Sequence, residues 1–254
     1  MDKWIIAITG KGGTGKTALT TLITKVLIQH QKKLLIVDAD PAMGLAHVLG
    51  IQASRTLEDL RLEIIKVGGR GIEDEKQDLI VSLDYKIMEL LIERPGFAAL
   101  IMGQPRTAGC FCPANTLLRD AITPLIKSFD FILIDCEAGL EQINRKVVQT
   151  INLLLIVSDP TVRGLETAAA IHKMAQKFTQ ASHIGLILNK VSNPTEIDTM
   201  RKKTALDIIG TISFDPQIAE FDLIGRSLLD LPKDSESVKA VEQILNVLNI
   251  LKKT

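Results

Sequence analysis

Apolar positions along this chain alternate between two patterns. Short, mainly apolar runs recur at Trp4 to Ile8, Leu34 to Val37, Phe97 to Met102, Phe129 to Asp135, Leu153 to Val157 and Ile184 to Leu188. Each has strand length and lacks the polar alternation of a half-solvated sheet, so each predicts a strand buried on both faces. Between them the apolar positions spread to helical spacing. This happens from Ala18 to Ile28, from Tyr85 to Ile92, from about Leu165 to Phe178, and through Val238, Val241, Ile244, Leu245, Leu248 and Leu251. Such alternation predicts an α/β fold, a mostly parallel central sheet with helices on both faces. No repeat, low-complexity tract or linker interrupts it, so residues 1–254 read as a single domain. Residues 50–85 fit neither pattern cleanly. Arg55 to Arg61 has helical character, Gly68-Gly69-Arg70-Gly71 reads as a loop, and Glu73 to Asp78 reads as a solvated charged stretch. Pro95-Gly96 is expected to stop the helix before it.

Between the first strand and the first helix lies Gly10-Lys11-Gly12-Gly13-Thr14-Gly15-Lys16-Thr17. It fits G-x-x-x-x-G-K-[ST] in the strand–loop–helix context that this motif needs. The glycines let backbone N–H groups turn inward around phosphate oxygens. Lys16 adds a point charge, the Thr17 hydroxyl can ligate Mg²⁺, and the helix starting near Gly15 aims its positive end at the same anion. Asp38-Ala39-Asp40-Pro41 stands at the carboxyl end of the second strand, where α/β sheets bind ligands. Its carboxylates either serve that ligand or stabilise a turn. The run from Phe129 ends in a carboxylate of the same kind, Asp135.

Composition narrows the partners. A chain of 254 residues that is 46% hydrophobic can bury a full core. Its formal net charge of zero argues against a strongly basic nucleic-acid-binding protein and leaves room for a local basic patch. The N-terminus enters a strand at once, which leaves no room for a signal peptide. No apolar run approaches the roughly 18 residues of a membrane span. Three cysteines without a leader suit a reducing, cytoplasmic setting. The C-terminal helical run is basic only at Lys252 and Lys253, so it reads as core packing with no stable membrane association. His47, His172 and His183 have no partner visible in sequence.

Cys110 and Cys112 stand one residue apart. Two thiolates are too few for a closed four-coordinate site, but a two-fold dimer would supply four. Four sulfurs suit Zn²⁺ when tetrahedral and Ni²⁺ when square-planar. The pair equally fits two buried or idle thiols.

The whole loop, with Lys11 at its second position, resembles the deviant phosphate loop of the MinD/ParA and nitrogenase-iron-protein superfamily, of the SIMIBI class of P-loop NTPases. In that family the extra lysine reaches across a nucleotide-sandwich dimer to phosphates held by the partner. The resemblance therefore implies a homodimer that binds and hydrolyses ATP with Mg²⁺. It assigns nucleotide contacts to Gly12, Gly13, Thr14, Gly15, Lys16, Thr17 and Ala18, and Mg²⁺ to Thr17 with Asp38 and Asp135 acting through water. Asp40 would lie near the attacking water, with Lys11 and Lys16 as the other catalytic groups. Cys136-Glu137-Ala138-Gly139-Leu140-Glu141 matches the switch segment, in which Gly139 offers its N–H to the γ-phosphate. Glu137 and Glu141 are then either switch or dimer contacts or solvated, and Cys136, which departs from the pattern, is either a buried filler or a third metal ligand. Asn189 and Lys190 fall at the adenine-contacting segment, and the backbone around Pro216 falls near the same base. Ser192 stands where a guanine-reading N-K-x-D motif has its aspartate, which disfavours GTP.

The stretch from Tyr85 to Leu118 is similar to the CooC-type branch, the accessory ATPase for nickel insertion into carbon monoxide dehydrogenase. The similarity rests on Met102-Gly103-Gln104-Pro105, Gly109-Cys110-Phe111-Cys112 and Asn115-Thr116-Leu117-Leu118-Arg119. It implies that Cys110 and Cys112 bind Ni²⁺ or Zn²⁺ across the dimer, with carbon monoxide dehydrogenase or acetyl-CoA synthase as the client. Two alternatives remain: a positioning ATPase of the MinD/ParA type acting on membrane or DNA, against which the neutral charge and the thinly basic C-terminal helix speak, and an electron-transfer ATPase like the nitrogenase iron protein. The latter draws its cluster cysteines from far apart in sequence, which this spacing does not reproduce.

Overall fold

The computed structural model describes residues 3–70, 73–106, 125, 127–137 and 150–251. Their strands are β1 (Trp4–Gly10), β2 (Leu34–Asp38), β3 (Ile92–Arg94), β4 (Phe97–Ile101), β5 (Phe131–Asp135), β6 (Thr150–Ser158), β7 (Gln180–Val191) and β8 (Ile208–Ser213). They form one sheet in the order β3-β4-β2-β5-β1-β6-β7-β8. Only β3 runs antiparallel, paired with β4. The helices are α1 (Lys16–Gln29), α2 (Gly44–Val48), α3 (Leu57–Arg70), α4 (Glu73–Glu89), α5 (Val162–Phe178), α6 (Pro194–Lys203), α7 (Pro216–Leu223) and α8 (Glu236–Val247), with a short 3₁₀ turn at Leu228–Asp230. Among the described residues, no helix is long and apolar enough to cross a membrane.

Side chains alternate across each strand, so one apolar run feeds two cores. Ile5, Ala7, Leu35 and Val37 face a core that includes Leu57 and Leu60 of α3 and Leu165 and Ile171 of α5. Ile6, Ile8, Leu34 and Ile36 face the other, with Leu22, Val26, Val241 and Leu245 of α1 and α8. The C-terminal apolar run is spent in this second core.

Several expectations needed correction. The first helix reads as amphipathic, but α1 is buried almost all round, beneath α2, α8 and the 3₁₀ turn. Its polar side tolerates this because Thr20, Thr21 and Thr24 donate back to the carbonyls of Lys16, Thr17 and Thr20 at 2.8–3.0 Å. Gly68 to Arg70 continue α3 rather than forming a loop, and Glu73 to Asp78 open α4. Packing of these two helices on each other outweighs the roughly 1 kcal/mol that each helical glycine costs. The helix expected to reach Ile92 ends at Glu89, and Pro95-Gly96 turns the β3–β4 hairpin. Strand β8 has no counterpart among the expected strands. Its apolar run is broken at Gly210, where a Cβ would run into the Ile244 side chain, so the gap in the pattern is what lets α8 approach the sheet.

Candidate nucleotide site

Strand β1 lies between β5 and β6, so the loop leaving its carboxyl end stands over both neighbours. Crossovers leave this point in both directions, the position at which open α/β sheets form a ligand crevice. Register brings the carboxylates together. Asp135 pairs with Ile8 on one side and with Asp38 on the other.

The loop is wound around one carbonyl. The Thr14 hydroxyl donates to the Lys11 carbonyl at 2.8 Å, and Lys16 Nζ donates to the same oxygen at 3.4 Å. Lys16 is buried, and no described carboxylate pairs with its ammonium, which leaves the charge available to an anion. Lys11 contributes its carbonyl to the loop and keeps its side chain exposed. Gly15 caps α1 with φ +91°, a left-handed conformation. A Cβ there would also run into the Asn189 amide.

Below the loop, Thr17 Oγ1 donates to Asp135 Oδ2 at 2.8 Å. The Thr20 hydroxyl is shared between the Lys16 carbonyl at 3.0 Å and Asp135 Oδ1 at 3.3 Å. Asp38 accepts from the Asp40 N–H at 3.2 Å and the Ala46 N–H at 3.0 Å. Asp40 in turn accepts from the Ala42 N–H at 2.9 Å. The turn and the site thus use the same carboxylates. Burial pushes the Asp38 carboxyl up to about 6 and the Asp135 carboxyl up to about 7, and the charge of Asp38 adds to the second shift. Two buried carboxylates beside a hydroxyl form an all-oxygen set, suited to a hard divalent cation that would restore their ionisation. The residues present therefore fit Mg²⁺.

The far side of the loop is held by β7. Asn189 donates its side-chain amide to the Thr14 carbonyl at 2.8 Å, and Lys190, at φ +60°, donates to the Gly13 carbonyl at 2.9 Å. One strand further out, Pro216 begins α7 behind the Asp215 cap, and Ser237 of α8 fixes that cap at 2.7 Å. A polar cavity of about 380 Å³ opens beside both loops, lined by Ser192, Thr211, Ser213 and Phe214 among others.

The structure thus gathers Gly12 to Ala18, Asp38, Asp135, Asn189 and Lys190 at one strand end, with Asp40 beside them. Gly139, Cys110 and Cys112 lie outside the described residues. Cys136 is buried, its N–H donates to the Ile8 carbonyl at 3.0 Å, and burial pushes its thiol up to about 12. Its burial fits a small core filler. Among the described residues, no group of three or more His, Cys, Asp or Glu side chains could hold a metal.

Two features escaped the sequence reading. Thr20 is one, although its position one helical turn beyond Thr17 could have signalled it. The other is the mount of the segment after β4. Met102 N–H donates to the Asp38 carbonyl and Glu58 N–H to the Met102 carbonyl, both at 2.9 Å. Arg61 grips the Glu58 carboxylate at 2.6 and 2.7 Å, and this hydrogen bonding holds the carboxyl below its ordinary range. Arg106 completes the mount through its N–H on Glu58 at 3.1 Å and its guanidinium on Asp59 at 2.8 Å.

A phosphate loop at the switch point of a parallel sheet, backed by two buried carboxylates, defines a nucleotide-binding P-loop protein. A family model described as an AAA domain matches residues 2–188. An uncharacterised ATP-binding protein of Methanocaldococcus jannaschii is 40% identical over 246 residues, covering 94% of this chain and 96% of the relative. The carbon monoxide dehydrogenase accessory protein CooC of Rhodospirillum rubrum is 31% identical over 238 residues, 89% of each chain. The cell division ATPase MinD of Pyrococcus furiosus superposes with a TM-score of 0.72 at 25% identity, over 99% of this chain and 100% of the other. The chain belongs to this AAA-domain family, among the MinD/ParA-like P-loop ATPases.

Proposed function

We propose that this protein hydrolyses ATP as a dimer, binds nickel, and delivers it to carbon monoxide dehydrogenase or acetyl-CoA synthase. The observation that carries the reading is the 31% identity to CooC along 89% of both chains, joined to the Cys110/Cys112 pair in the sequence. A magnesium–ATP complex supplies the reacting phosphoryl group and neutralises part of its charge. The chain's own residues do the rest. Backbone N–H groups of Gly12 to Thr17 and the Lys16 ammonium surround the phosphates. Thr17, Asp38 and Asp135 would hold the cation. Asp40 orients the attacking water, and Asn189, Lys190 and the backbone at Pro216 hold the base. Lys11, exposed on a single chain, is free to reach the nucleotide of a partner, which makes hydrolysis depend on dimerisation. Gly139 senses the γ-phosphate, and closure brings Cys110 and Cys112 of both chains around the metal cargo. Reopening after hydrolysis releases it.

The test is metal stoichiometry. The dimer is expected to bind Ni²⁺ in competition with Zn²⁺, and to lose that binding in Cys110→Ala and Cys112→Ala. No binding, or equal binding in the variants, sinks the proposal. The other reading is a positioning ATPase on membrane or DNA. The zero net charge and the burial of Val238, Val241 and Leu245 weigh against it. ATP-dependent sedimentation with anionic vesicles or DNA would revive it.

A further inference from the structure

The end of the sheet opposite the phosphate loop carries a second cavity, of about 580 Å³. It opens where β2 and β4 begin, between the last turn of α1 and the segment joining α4 to β3. Five-residue strands place it about 17 Å from the carboxylate end. Its walls are apolar, formed by Ile28, Leu91, Phe97 and Phe129. Its rim carries Lys32, Lys33 and Arg94 against the Glu93 carboxylate, and the Asp130 carboxylate beside it accepts from the Lys33 N–H at 3.0 Å.

No described carboxylate pairs with any of the three cations. The Lys32 ammonium lies 5.9 Å from the centroid of the Phe131 ring, half-buried. Arg94 donates to the backbone carbonyl of Glu93 at 3.3 Å. Nearby cations behave differently: Lys86 and Arg55 both close on Glu63, at 2.6 and 3.0 Å. The volume falls within the roughly 300–1,000 Å³ of small-molecule sites. An inorganic anion would satisfy the rim and leave the walls wet. A neutral hydrocarbon would cover the walls and leave the cations without a partner.

We propose that this cavity binds one small organic anion with an apolar body, its acidic head on Lys32, Lys33 and Arg94 and its body against Ile28, Leu91 and Phe129. The site is separate from the nucleotide and does not rest on the nickel reading. Charge and shape are recognised by different residues, so each can be removed alone.

The experiment is isothermal titration of the full chain with decanoate, with acetate and decan-1-ol as probes of head and body alone. Decanoate is expected to bind one per chain, with acetate and decan-1-ol each much weaker. Lys32→Gln/Arg94→Gln should weaken decanoate about tenfold. Ser128→Trp, which fills the exposed mouth and keeps every cation, should weaken it as well. Circular dichroism melting curves establish that both variants fold. Absence of saturable heat, a stoichiometry above one, equal affinity for decan-1-ol, or unchanged affinity in the charge variant each overturns the proposal. Binding to phosphatidylglycerol vesicles without binding to decanoate also overturns it, and moves the same head-group chemistry to a lipid surface.

Discussion

Asp135 sets the function of the nucleotide site against the stability of the empty protein. Its carboxyl is 1% exposed, lies in register with Asp38, and is pushed up to about 7 from an ordinary 3.8. A carboxyl whose pKa is higher folded than unfolded binds more protons in the folded state. Its contribution to stability is therefore greatest below pH 4 and is lost as pH rises to about 7. At roughly 1.4 kcal/mol per pKa unit the full loss is about 4 kcal/mol, of which about 3 kcal/mol falls between pH 5 and 8. Asp135→Asn removes the titration and keeps the shape. Urea unfolding of both proteins, with EDTA and without nucleotide, reads the difference. Asp38 titrates in both proteins and is coupled to Asp135, so the difference reads the carboxylate pair. The asparagine variant should gain about 3 kcal/mol on the wild type between pH 5 and 8, while losing Mg²⁺-dependent ATP turnover. A difference that stays constant across that range would refute the reasoning, because it would mean that the carboxylate is not held near neutrality by burial.

Asn189→Ala leaves the Thr14 carbonyl without its 2.8 Å donor, and should cost about 1–3 kcal/mol in stability or ATP affinity, read by thermal melting and nucleotide titration. Gly15→Ala places a Cβ in a left-handed residue and against the Asn189 amide, so ATP binding should fall by at least tenfold in a fluorescent-nucleotide assay. Arg106→Ala frees the chain leaving β4 from Asp59 and should leave ATP affinity unchanged while raising protease cleavage after Ile101, followed by mass spectrometry. Leu245→Ala should lower stability by about 2–5 kcal/mol in urea, because its side chain is fully buried against α1.

The legible parts of the fold were those whose burial is uniform. Strands β1, β2, β4 and β5 are covered on both faces, so Ile6 and Ala7 are equally apolar and the run is continuous. Strand β3 sits at the edge, where Glu93 and Arg94 face solvent and no apolar run forms. In β8 the glycine that admits α8 erases the pattern. The phosphate loop and the carboxylates at the ends of β2 and β5 could be read because backbone geometry fixes their spacing. The Glu58–Arg61–Arg106 mount could not, since it joins residues 48 positions apart through side chains that each look like ordinary surface charges. The Lys190 side chain also holds the Gly13 carbonyl, a contact set by a left-handed lysine that no sequence pattern announces.

The hydrogen bond from Asn189 to Thr14 also fixes the orientation of that amide. The NH₂ group donates to the loop, so the carboxamide cannot flip without unfastening the phosphate site. One amide hydrogen and the carbonyl oxygen of Asn189 stay uncommitted to Thr14. The shape of the phosphate loop and the orientation of this side chain on β7 are therefore one arrangement, so loosening either loosens the other.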